Sequence, residues 1–360
     1  MKMAGARINA ARFTGTKTGI ALVILALAVL PLVTGAALGT SWVRVLDFAL
    51  LYIMLALGLN IVVGYAGLLD LGYIAFYAVG AYTWALLASP QFGLHLPFWV
   101  ILPIGAGIAC LFGVLLGAPT LRLRGDYLAI VTLGFGEIVR LFINNLDRPV
   151  NITNGPQGID RIDAVSIAGV SLENSLTLGS FTLSSAQLYY YLFLVLTALV
   201  MLACVRLEDS RIGRAWMAIR EDEIAAKAMG INTRNVKLLA FAMGATFGGV
   251  AGGLFASFQG FVSPESFVLM ESVMILCMVV LGGMGNIAGV VLGAVLLTVT
   301  PEFLRDIINP LQRAAFGEVR IDPENLRMLL FGLALILMML FRPQGILPRH
   351  RHGNGNSGRG

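Results

Sequence analysis

The sequence predicts an all-α fold, that of a polytopic membrane protein with about ten transmembrane or re-entrant helices. The chain is 58% hydrophobic and 12% charged, whereas about 25% of residues are charged in an average soluble domain. Its mean hydropathy is +0.83, and apolar runs of membrane length recur along it. The 42 glycines suit the close approach of helix backbones in lipid. A string of soluble domains is therefore excluded.

The first apolar run, 19–38, follows a basic segment at 1–18. A cleaved signal peptide is one interpretation, but we favour a retained span because about 20 residues cross the hydrocarbon core. Gly282–Asn286 separates two short runs, so one of these two is a candidate re-entrant segment. The predicted spans are 19–38, 45–63, 71–88, 97–118, 127–146, 188–205, 236–255, 267–281, 287–300 and 326–341.

The basic residues predict the orientation of these spans. With the N-terminus in the cytoplasm and the spans alternating, most of the 25 Lys and Arg residues fall in inner segments, as the positive-inside bias requires. The loop 206–237 and both termini are then cytoplasmic, and the loops 147–186 and 305–325 are periplasmic. The transmembrane domain is predicted at 19–345, and the low-complexity tail 346–360 is predicted to be disordered.

The loop 206–237 is basic, and its second part has the pattern of a short helix. Asp222 can accept hydrogen bonds from the free N–H groups of the first turn, and Gly230 can end the helix in a left-handed conformation. One face carries a charged pair four residues apart, Glu223 and Lys227. The opposite face is apolar and consists of Ile224, Ala225, Ala228 and Met229.

A short amphipathic helix that projects between spans needs a groove for its apolar face. Our hypothesis is that this groove belongs to a separate ATP-hydrolysing subunit. The alternatives are that the helix lies on the lipid surface or packs against its own chain.

Charged residues and helix interruptions inside the spans predict a membrane pathway. A charge at the bilayer centre costs about 2.5–3.5 kcal/mol on insertion scales, so it needs a reason. Two glycine-interrupted stretches, 58–72 and 281–291, lie in opposite halves of the chain and hint at an inverted repeat. For Glu137 and Arg140, an ion pair that fixes helix packing is an alternative of equal weight to a pathway role. The pathway or gating candidates are Asn60, Gly67, Asp70, Gly72, Glu137, Arg140, Glu271, Gly283, Gly285 and Asn286.

A ladder of glycines four residues apart, Gly244, Gly248 and Gly252, predicts close helix packing. Packing within the chain is favoured over packing between two copies. The same spacing recurs at lower density in two other predicted spans.

Sequence motifs for catalysis are missing. No GxxxxGK[ST] string occurs, so the chain has no P-loop for ATP, and neither HExxH nor GxSxG occurs. Gly283, Gly285 and Ala288 match a dinucleotide fingerprint in spacing, but they lie between two apolar runs rather than in a βαβ unit. The three cysteines have no metal-ligand spacing. We expect no enzyme activity, no cofactor, no metal site, no disulfide and no nucleic-acid partner.

Six stretches of the sequence match the motifs of a known family, in order, from about residue 50 to 345. They are GLLDLGYIAFYAVGAYTWALL (67–87), LRLRGDYLAIVTLGFGEIVRL (121–141), ITNGPQGI (152–159), GRAWMAIREDEIAAKAMGIN (213–232), GFVSPESF (260–267) and VVLGGMG (279–285). Several of these stretches are long, and together they resemble the inner-membrane permeases of branched-chain amino acid ABC transporters, the LivM branch of the LivH/LivM-type family.

This resemblance implies a fold like that of ABC importer permeases, with broken helices in both halves. It also implies a bacterial inner (plasma) membrane location, and partners other than lipid. These are a second homologous permease, two cytoplasmic ABC ATPases and a periplasmic branched-chain amino acid binding protein. The two permeases would form the pathway by alternating access, and the ATPases would supply the hydrolysis of ATP.

The stretch 213–232 is similar to the coupling loop through which ABC permeases contact their ATPases. The general pattern is Glu-Ala-Ala-x-x-x-Gly. This chain keeps both alanines and the glycine but has Ile224 in place of the acid, with Glu223 adjacent, so a role for that acid does not carry over directly. The coupling-loop candidates are Arg214, Glu221, Asp222, Glu223, Ile224, Ala225, Ala226 and Gly230.

Three alternatives stay open at this point. A urea or amide permease of the same family is the nearest, although the string LDLGYIAFYAVGAY resembles the amino acid branch more. A self-contained secondary transporter would need an ion or proton relay, for which Asp70, Glu137 and Glu271 are the candidates. A membrane scaffold would have no transport activity.

Overall fold

The computed structural model describes residues 17–120, 123, 125–167, 170–178 and 181–316, and four short pieces at 332–333, 336–338, 340–342 and 345–347. Several predicted segments lie outside the described residues. These are most of the N-terminal segment 1–18, the end of the loop 305–325, most of the span 326–341 and nearly all of the tail 346–360.

The described chain is an assembly of α-helices, as predicted. Two short antiparallel hairpins interrupt it within the loop 147–186. In chain order the helices are α1 Lys17–Ala37, α2 Thr40–Asn60, α3 Ile74–Leu87, α4 Phe98–Thr120, α5 Asp126–Asn144, α6 Ser185–Glu208, α7 Arg211–Glu221, α8 Glu223–Ala228, α9 Thr233–Gln259, α10 Leu269–Gly282 and α11 Ile287–Phe316. The strands are β1 Ser166–Ile167, β2 Val170–Ser171, β3 Leu176–Leu178 and β4 Phe181–Leu183.

Within the described ranges, six helices are long and apolar enough to cross a membrane: α2, α4, α5, α6, α9 and α11. Shorter apolar helices occur in α1, α3 and α10. Nine of the ten predicted spans thus coincide with an apolar helix, and the tenth lies mostly outside the described residues. Both α3 and α10 have 14 residues, about 21 Å at 1.5 Å per residue, which is too short to cross the hydrocarbon core alone.

The two short helices each follow a break in the chain. Helix α2 continues through a π-helical turn, Ile61–Tyr65, and the chain is then non-helical until α3. Helix α9 ends at Gln259, and a second non-helical segment leads from Gly260 through the 3₁₀ turn Pro264–Phe267 to α10. Gly67 and Gly260 have φ angles of 69° and 66° at the start of these breaks, a left-handed conformation that favours glycine.

The N-termini of α3 and α10 meet inside the bundle, where the Ile74 N–H donates to Ser272 Oγ at 3.0 Å. From there the two helices run in opposite directions. Helix α3 ends beside the hairpins, where Ala88 O accepts from Asp163 N; we call this the hairpin end. Helix α10 ends near α7 and α8, beside Asn60; we call this the α8 end. The two half-helices are therefore opposed in direction.

The position of the second break differs from the prediction. The stretch 281–291 contains a tight turn at 283–286 between α10 and α11, with φ angles of 119° at Gly283 and 86° at Gly285. The helix interruption itself lies upstream, between Gly260 and Leu269. Glycine density was misleading here because the tight turn needs several glycines, whereas the break needs only one glycine and a proline.

Helix α9 is the centre of the bundle and packs against α2, α3 and α4. Its small residues let neighbouring backbones approach closely. A Cβ added at Gly80 of α3 would lie 2.5 Å from the Cα of Gly249, and one added at Gly244 would lie 2.9 Å from the carbonyl oxygen of Gly58. The predicted glycine ladder therefore packs within the chain.

Two contacts attach the α7–α8 segment to the start of α9. Trp216 is fully buried, and its Nε1–H donates to Val236 O at 2.7 Å. Lys237 is 7% exposed, and its ammonium lies 2.8 Å from the Glu223 carboxylate. The hydrogen bond from Lys237 lowers the pKa of Glu223 below its ordinary value. The segment is thus held against the bundle.

Replacement of Gly252 by alanine should lower the apparent melting temperature of the detergent-solubilised protein. A Cβ there would lie 2.8 Å from Ala81 N and 3.0 Å from the carbonyl carbon of Tyr77, and overpacking of this kind costs about 1–3 kcal/mol. Gly107→Ala is the control, because a Cβ at Gly107 meets nothing within 4 Å. Equal melting temperatures for the two variants would contradict the close α3–α9 packing.

Replacement of Glu223 by glutamine should loosen α8 at neutral pH, with about a tenfold loss of amide exchange protection over 223–230, because a charge-assisted hydrogen bond is lost. Since the pKa of Glu223 is lowered from 4.5 in the folded state, its contribution is complete above that value and is lost as the pH falls below it. Protection in the wild type, corrected for intrinsic exchange, should therefore decrease below about pH 4.5.

Lys227→Gln is the matched control for Glu223→Gln. The Lys227 ammonium lies 3.8 Å from Glu223 and is 58% exposed, so its loss should change protection little. Protection that falls equally in both variants, or that stays constant with pH in the wild type, would show that the Lys237 contact does not hold α8.

Candidate coupling surface and membrane pathway

Helix α8 exposes the apolar face that its sequence predicts. Asp222 caps the helix by accepting from the N–H groups of Ile224 and Ala225 at 2.8 and 3.1 Å. Ile224 is 74% exposed and Met229 is 83% exposed, and Ala225 is exposed beside them. A cluster of exposed apolar side chains on a short, anchored helix is typical of a surface that a partner covers.

The opposite side of the segment faces the bundle. Ala226 is buried, and Glu223 turns inward to Lys237 as described above. The acid next to the alanine pair therefore holds α8 in place in this structure. Gly230 follows the helix with a φ angle of 83°, in agreement with the predicted left-handed helix end.

Two further coupling-loop candidates lie on α7. They belong neither to the exposed apolar face of α8 nor to the contact between Glu223 and Lys237. Glu221 is exposed at the last position of α7. Arg214 donates through Nη1 to Asp209 O at 2.7 Å and lines a cleft of about 1030 Å³ that also borders α6 and α11. Both lie at the α8 end, although neither is part of the exposed apolar face.

Arg220 joins α7 to the first helix break. Its guanidinium donates to the carbonyl oxygen of Gly64, within the π-helical turn. A Cβ at Gly67 would lie 2.7 Å from Arg220 Cγ, so the chain passes against this side chain. Sequence reasoning counted Arg220 only among the basic residues of the inner loop, because nothing in its spacing indicates a contact with a residue about 150 positions earlier.

Four of the predicted pathway residues meet at the α8 end. Asn60 is 1% exposed, and its Oδ1 accepts from the N–H of Gly285 at 2.8 Å. Asn286 Oδ1 accepts from Ala288 N at 3.1 Å at the start of α11. A Cβ at Gly64 would lie 2.7 Å from Gly285 N. The turn that contains Gly283, Gly285 and Asn286 thus closes against the end of α2.

Asp70 and Gly72 lie deeper, in the break before α3. Asp70 is fully buried, and its Oδ1 accepts from Gly72 N at 2.8 Å. Its second oxygen has no hydrogen-bond partner within the described part of the chain. Thr132 Oγ1 of α5 accepts from Leu71 N at 3.0 Å, and a Cβ at Gly72 would overlap the carbonyl of Thr132. The break is therefore fitted directly against α5.

A small apolar cavity of about 170 Å³ lies where the two half-helices meet α5. Glu137 borders it and forms an ion pair with Arg140 on the next turn. Both charged side chains are part-exposed. The pair therefore joins two turns of α5 at its surface, and Glu137 also lines the cavity. The remaining lining residues are Leu71, Ile74, Leu133, Gly136, Phe267 and Leu269.

Glu271 is separate from this cavity. Its carboxylate accepts from the hydroxyl of Tyr52 at 2.8 Å, and it lies in the first turn of α10, where a negative charge favours the helix dipole. The structure thus divides the predicted pathway residues among the α8 end, the first break, the cavity wall and the α2–α10 contact.

Comparison with known proteins places the chain in a family. Residues 41–339 match the family model described as the branched-chain amino acid transport system / permease component. No solved structure matches the chain. The family is a component of a transport system, not an enzyme, and the long apolar helices make the chain a multi-pass membrane protein.

Curated relatives agree with the family model. The chain is similar to the high-affinity branched-chain amino acid permease protein LivM of Escherichia coli K12, with 45% identity over 92% of this chain and 75% of the relative. A probable LivM of Methanocaldococcus jannaschii is 28% identical over 76% of this chain and 74% of the relative. The LivH permease protein of Salmonella typhimurium is 26% identical over 83% of this chain and 91% of the relative. The chain belongs to the family of branched-chain amino acid transport system permease components.

Proposed function

We propose that this chain is one of two permease subunits of an ATP-driven importer of leucine, isoleucine and valine. The observation that carries the proposal is the exposed apolar face of α8, with Ile224 and Met229 at 74% and 83% exposure on a segment that is otherwise anchored. The partner that covers this face is a cytoplasmic ABC ATPase, which supplies the hydrolysis of ATP. Two such ATPases, a second homologous permease and a periplasmic binding protein complete the assembly.

The proposed orientation puts both termini and α8 in the cytoplasm of a bacterium and the hairpin end in the periplasm. The excess of basic residues on the α8 side supports it. The permease domain extends over 19–345 in this proposal, with 206–237 as its coupling loop. Protease accessibility or cysteine labelling that placed Met229 outside the cell would contradict the whole assignment.

Movement of α8 reaches the pathway by two physical connections. Lys237 and Trp216 attach the segment to α9, which is the central helix of the bundle. Arg220 attaches it to the break after α2, at Gly64 and Gly67. Closure of the ATPases would pull on α8 and shift these elements relative to α5, which alternately opens the two ends of the pathway.

The surface of this chain that would bind the second permease is the exposed face of α5. Tyr127, Ile138 and Phe142 of this helix are 72%, 63% and 64% exposed. The ion pair of Glu137 and Arg140 lies on the same helix, next to the apolar cavity. A pathway between two permeases would run along this helix, with the cavity between the half-helices as the position of the aliphatic side chain.

The names of the relatives support branched-chain amino acids as the substrates and do not support urea. An apolar cavity wall made of leucine, isoleucine and phenylalanine side chains also favours an aliphatic group over a small polar amide. Uptake of labelled leucine should be inhibited by isoleucine and valine and not by urea.

A secondary transporter is the rival from another class. It would need a connected relay of carboxylates, and the three candidates have different partners: Gly72 N for Asp70, Arg140 for Glu137 and Tyr52 for Glu271. Leucine uptake that persists without an ATPase and follows an ion gradient would favour this rival.

Replacement of Ala225 by arginine should reduce ATP-dependent uptake by at least tenfold while membrane insertion stays normal, because a long charged side chain would enter the covered face. Gly230→Val should have the same effect, since a φ angle of 83° is strained for a β-branched residue. Lys227→Ala is the control on the charged side of α8. Unchanged uptake in both variants, measured in proteoliposomes with all subunits, would reject docking through α8.

Replacement of Arg220 by glutamine tests the connection to the first break. The variant should retain its ATPase subunits on purification but hydrolyse more ATP for each leucine imported, because the hydrogen bond to Gly64 O is lost. Arg234→Gln, on an exposed position at the start of α9, is the control. A stoichiometry equal to that of the control would show that Arg220 does not transmit the movement.

A further inference from the structure

A second cavity, of about 600 Å³, opens at the hairpin end of the bundle. It lies between the end of α3, the start of α4 and the segment 161–173. Its volume is within the range of about 300–1,000 Å³ that small-molecule sites occupy. Its lining includes aromatic rings and charged side chains of both signs. It is remote from the exposed face of α8 and from the cavity between the half-helices.

Trp84 supplies a buried donor that has no acceptor in the described structure. The side chain lines this cavity and is 3% exposed, and its Nε1–H has no hydrogen-bond partner among the described residues. A Cβ at Gly253 would lie 2.9 Å from Trp84 Cε3, so the benzo edge of the indole faces α9 and the N–H edge faces away from it. A buried donor without an acceptor is unfavourable, and a ligand acceptor in the cavity would relieve this.

The charged side chains of the cavity lining, which we call the charged wall, include both signs. His95 and Asp163 form a contact of 2.5 Å with each other, and the N–H of Asp163 donates to Ala88 O, which fixes this wall on the end of α3. Arg161 and Glu173 also line the cavity, and neither has an ion-pair partner in the parts of the chain that the structure describes. One cation and one carboxylate therefore remain available to a ligand.

The backbone of this wall is strained. His95 and Arg161 have φ angles of 43° and 53°, which are uncommon for residues other than glycine, asparagine and aspartate. Both residues border the same cavity. Strained backbone conformations of this kind persist where a binding site requires them.

We propose that this cavity receives a free α-amino acid with an aliphatic side chain, as a zwitterion. The ligand carboxylate accepts from Trp84 Nε1–H and pairs with Arg161, and the ligand ammonium pairs with Glu173. The aliphatic side chain of the ligand lies against Phe98 and Ile101, which are apolar residues of the cavity lining. The site rests on the proposed function, since it takes the same substrate class, and it would hold the substrate after release from the binding protein and before entry into the bundle.

The test is a titration of the assembled transporter with radiolabelled leucine, in nanodiscs and without the external binding protein or nucleotide. The wild type should bind leucine saturably. Leucinamide, which lacks the carboxylate, and 4-methylpentanoate, which lacks the ammonium, should not compete. Leucine uptake by the complete system is measured in parallel for each variant.

Trp84→Phe removes the N–H while keeping an aromatic ring, and it should weaken leucine binding about tenfold. Trp99→Phe is the matched control, because Trp99 is 65% exposed and does not line the cavity. Glu173→Gln is a second variant that does not disturb the core, because Glu173 is exposed. It should weaken leucine binding to a similar extent.

A wild-type complex that imports leucine but does not bind it in this assay would overturn the receiving site alone. A complex that neither imports nor binds leucine would overturn the site and the proposed function together. Equal leucine affinity in Trp84→Phe, Glu173→Gln and Trp99→Phe would also overturn the site. So would a loss of affinity for the external binding protein with leucine binding unchanged, which would make the cavity part of a protein-docking surface.

Discussion

The structure depends on satisfying backbone polar groups where two helices are broken inside the bundle. The side chains around the breaks are buried, as at Asp70 and Ser272, so each free N–H needs a partner from the protein. Side chains provide these partners: Ser272 accepts from Ile74 N, Thr132 accepts from Leu71 N, and Asp70 accepts from Gly72 N. The two breaks are therefore fixed to each other and to α5. The cavity between the half-helices exists because neither helix continues through this region.

Close backbone packing supports the same arrangement. Short helices such as α3 cannot span the membrane alone, so they rely on contact with α9, which glycines bring within a few ångströms. The α7–α8 segment is attached to this closely packed central helix through Trp216 and Lys237. In the proposed mechanism, these contacts carry a force from the exposed face of α8 to the breaks.

The two ends of the bundle differ in the way their surfaces are built. The α8 end combines an exposed apolar face with an arginine that contacts the first break, an arrangement that suits contact with another protein. The hairpin end has a cavity with a buried donor and charges of both signs, an arrangement that suits a small zwitterion. The proposed direction of transport, from the hairpin end to the α8 end, is consistent with this difference.

Local interactions over a few residues were enough to predict the helices and their ends. Hydropathy and length fixed the apolar helices, and the Asp222 cap, the Glu223–Lys227 spacing and the left-handed Gly230 followed from helix-end chemistry over a few residues. The resemblance to the permease family was also readable from continuous motifs. Which distant residues meet depends on the packing of the whole chain, and the sequence did not predict it. Arg220 donates to Gly64 O, and Lys237 lies closer to Glu223 than the helical neighbour Lys227 does. Ser272 accepts from the first N–H of α3. The second break was missed for the same reason: the break and the tight turn are both marked by glycine, and only packing distinguishes them.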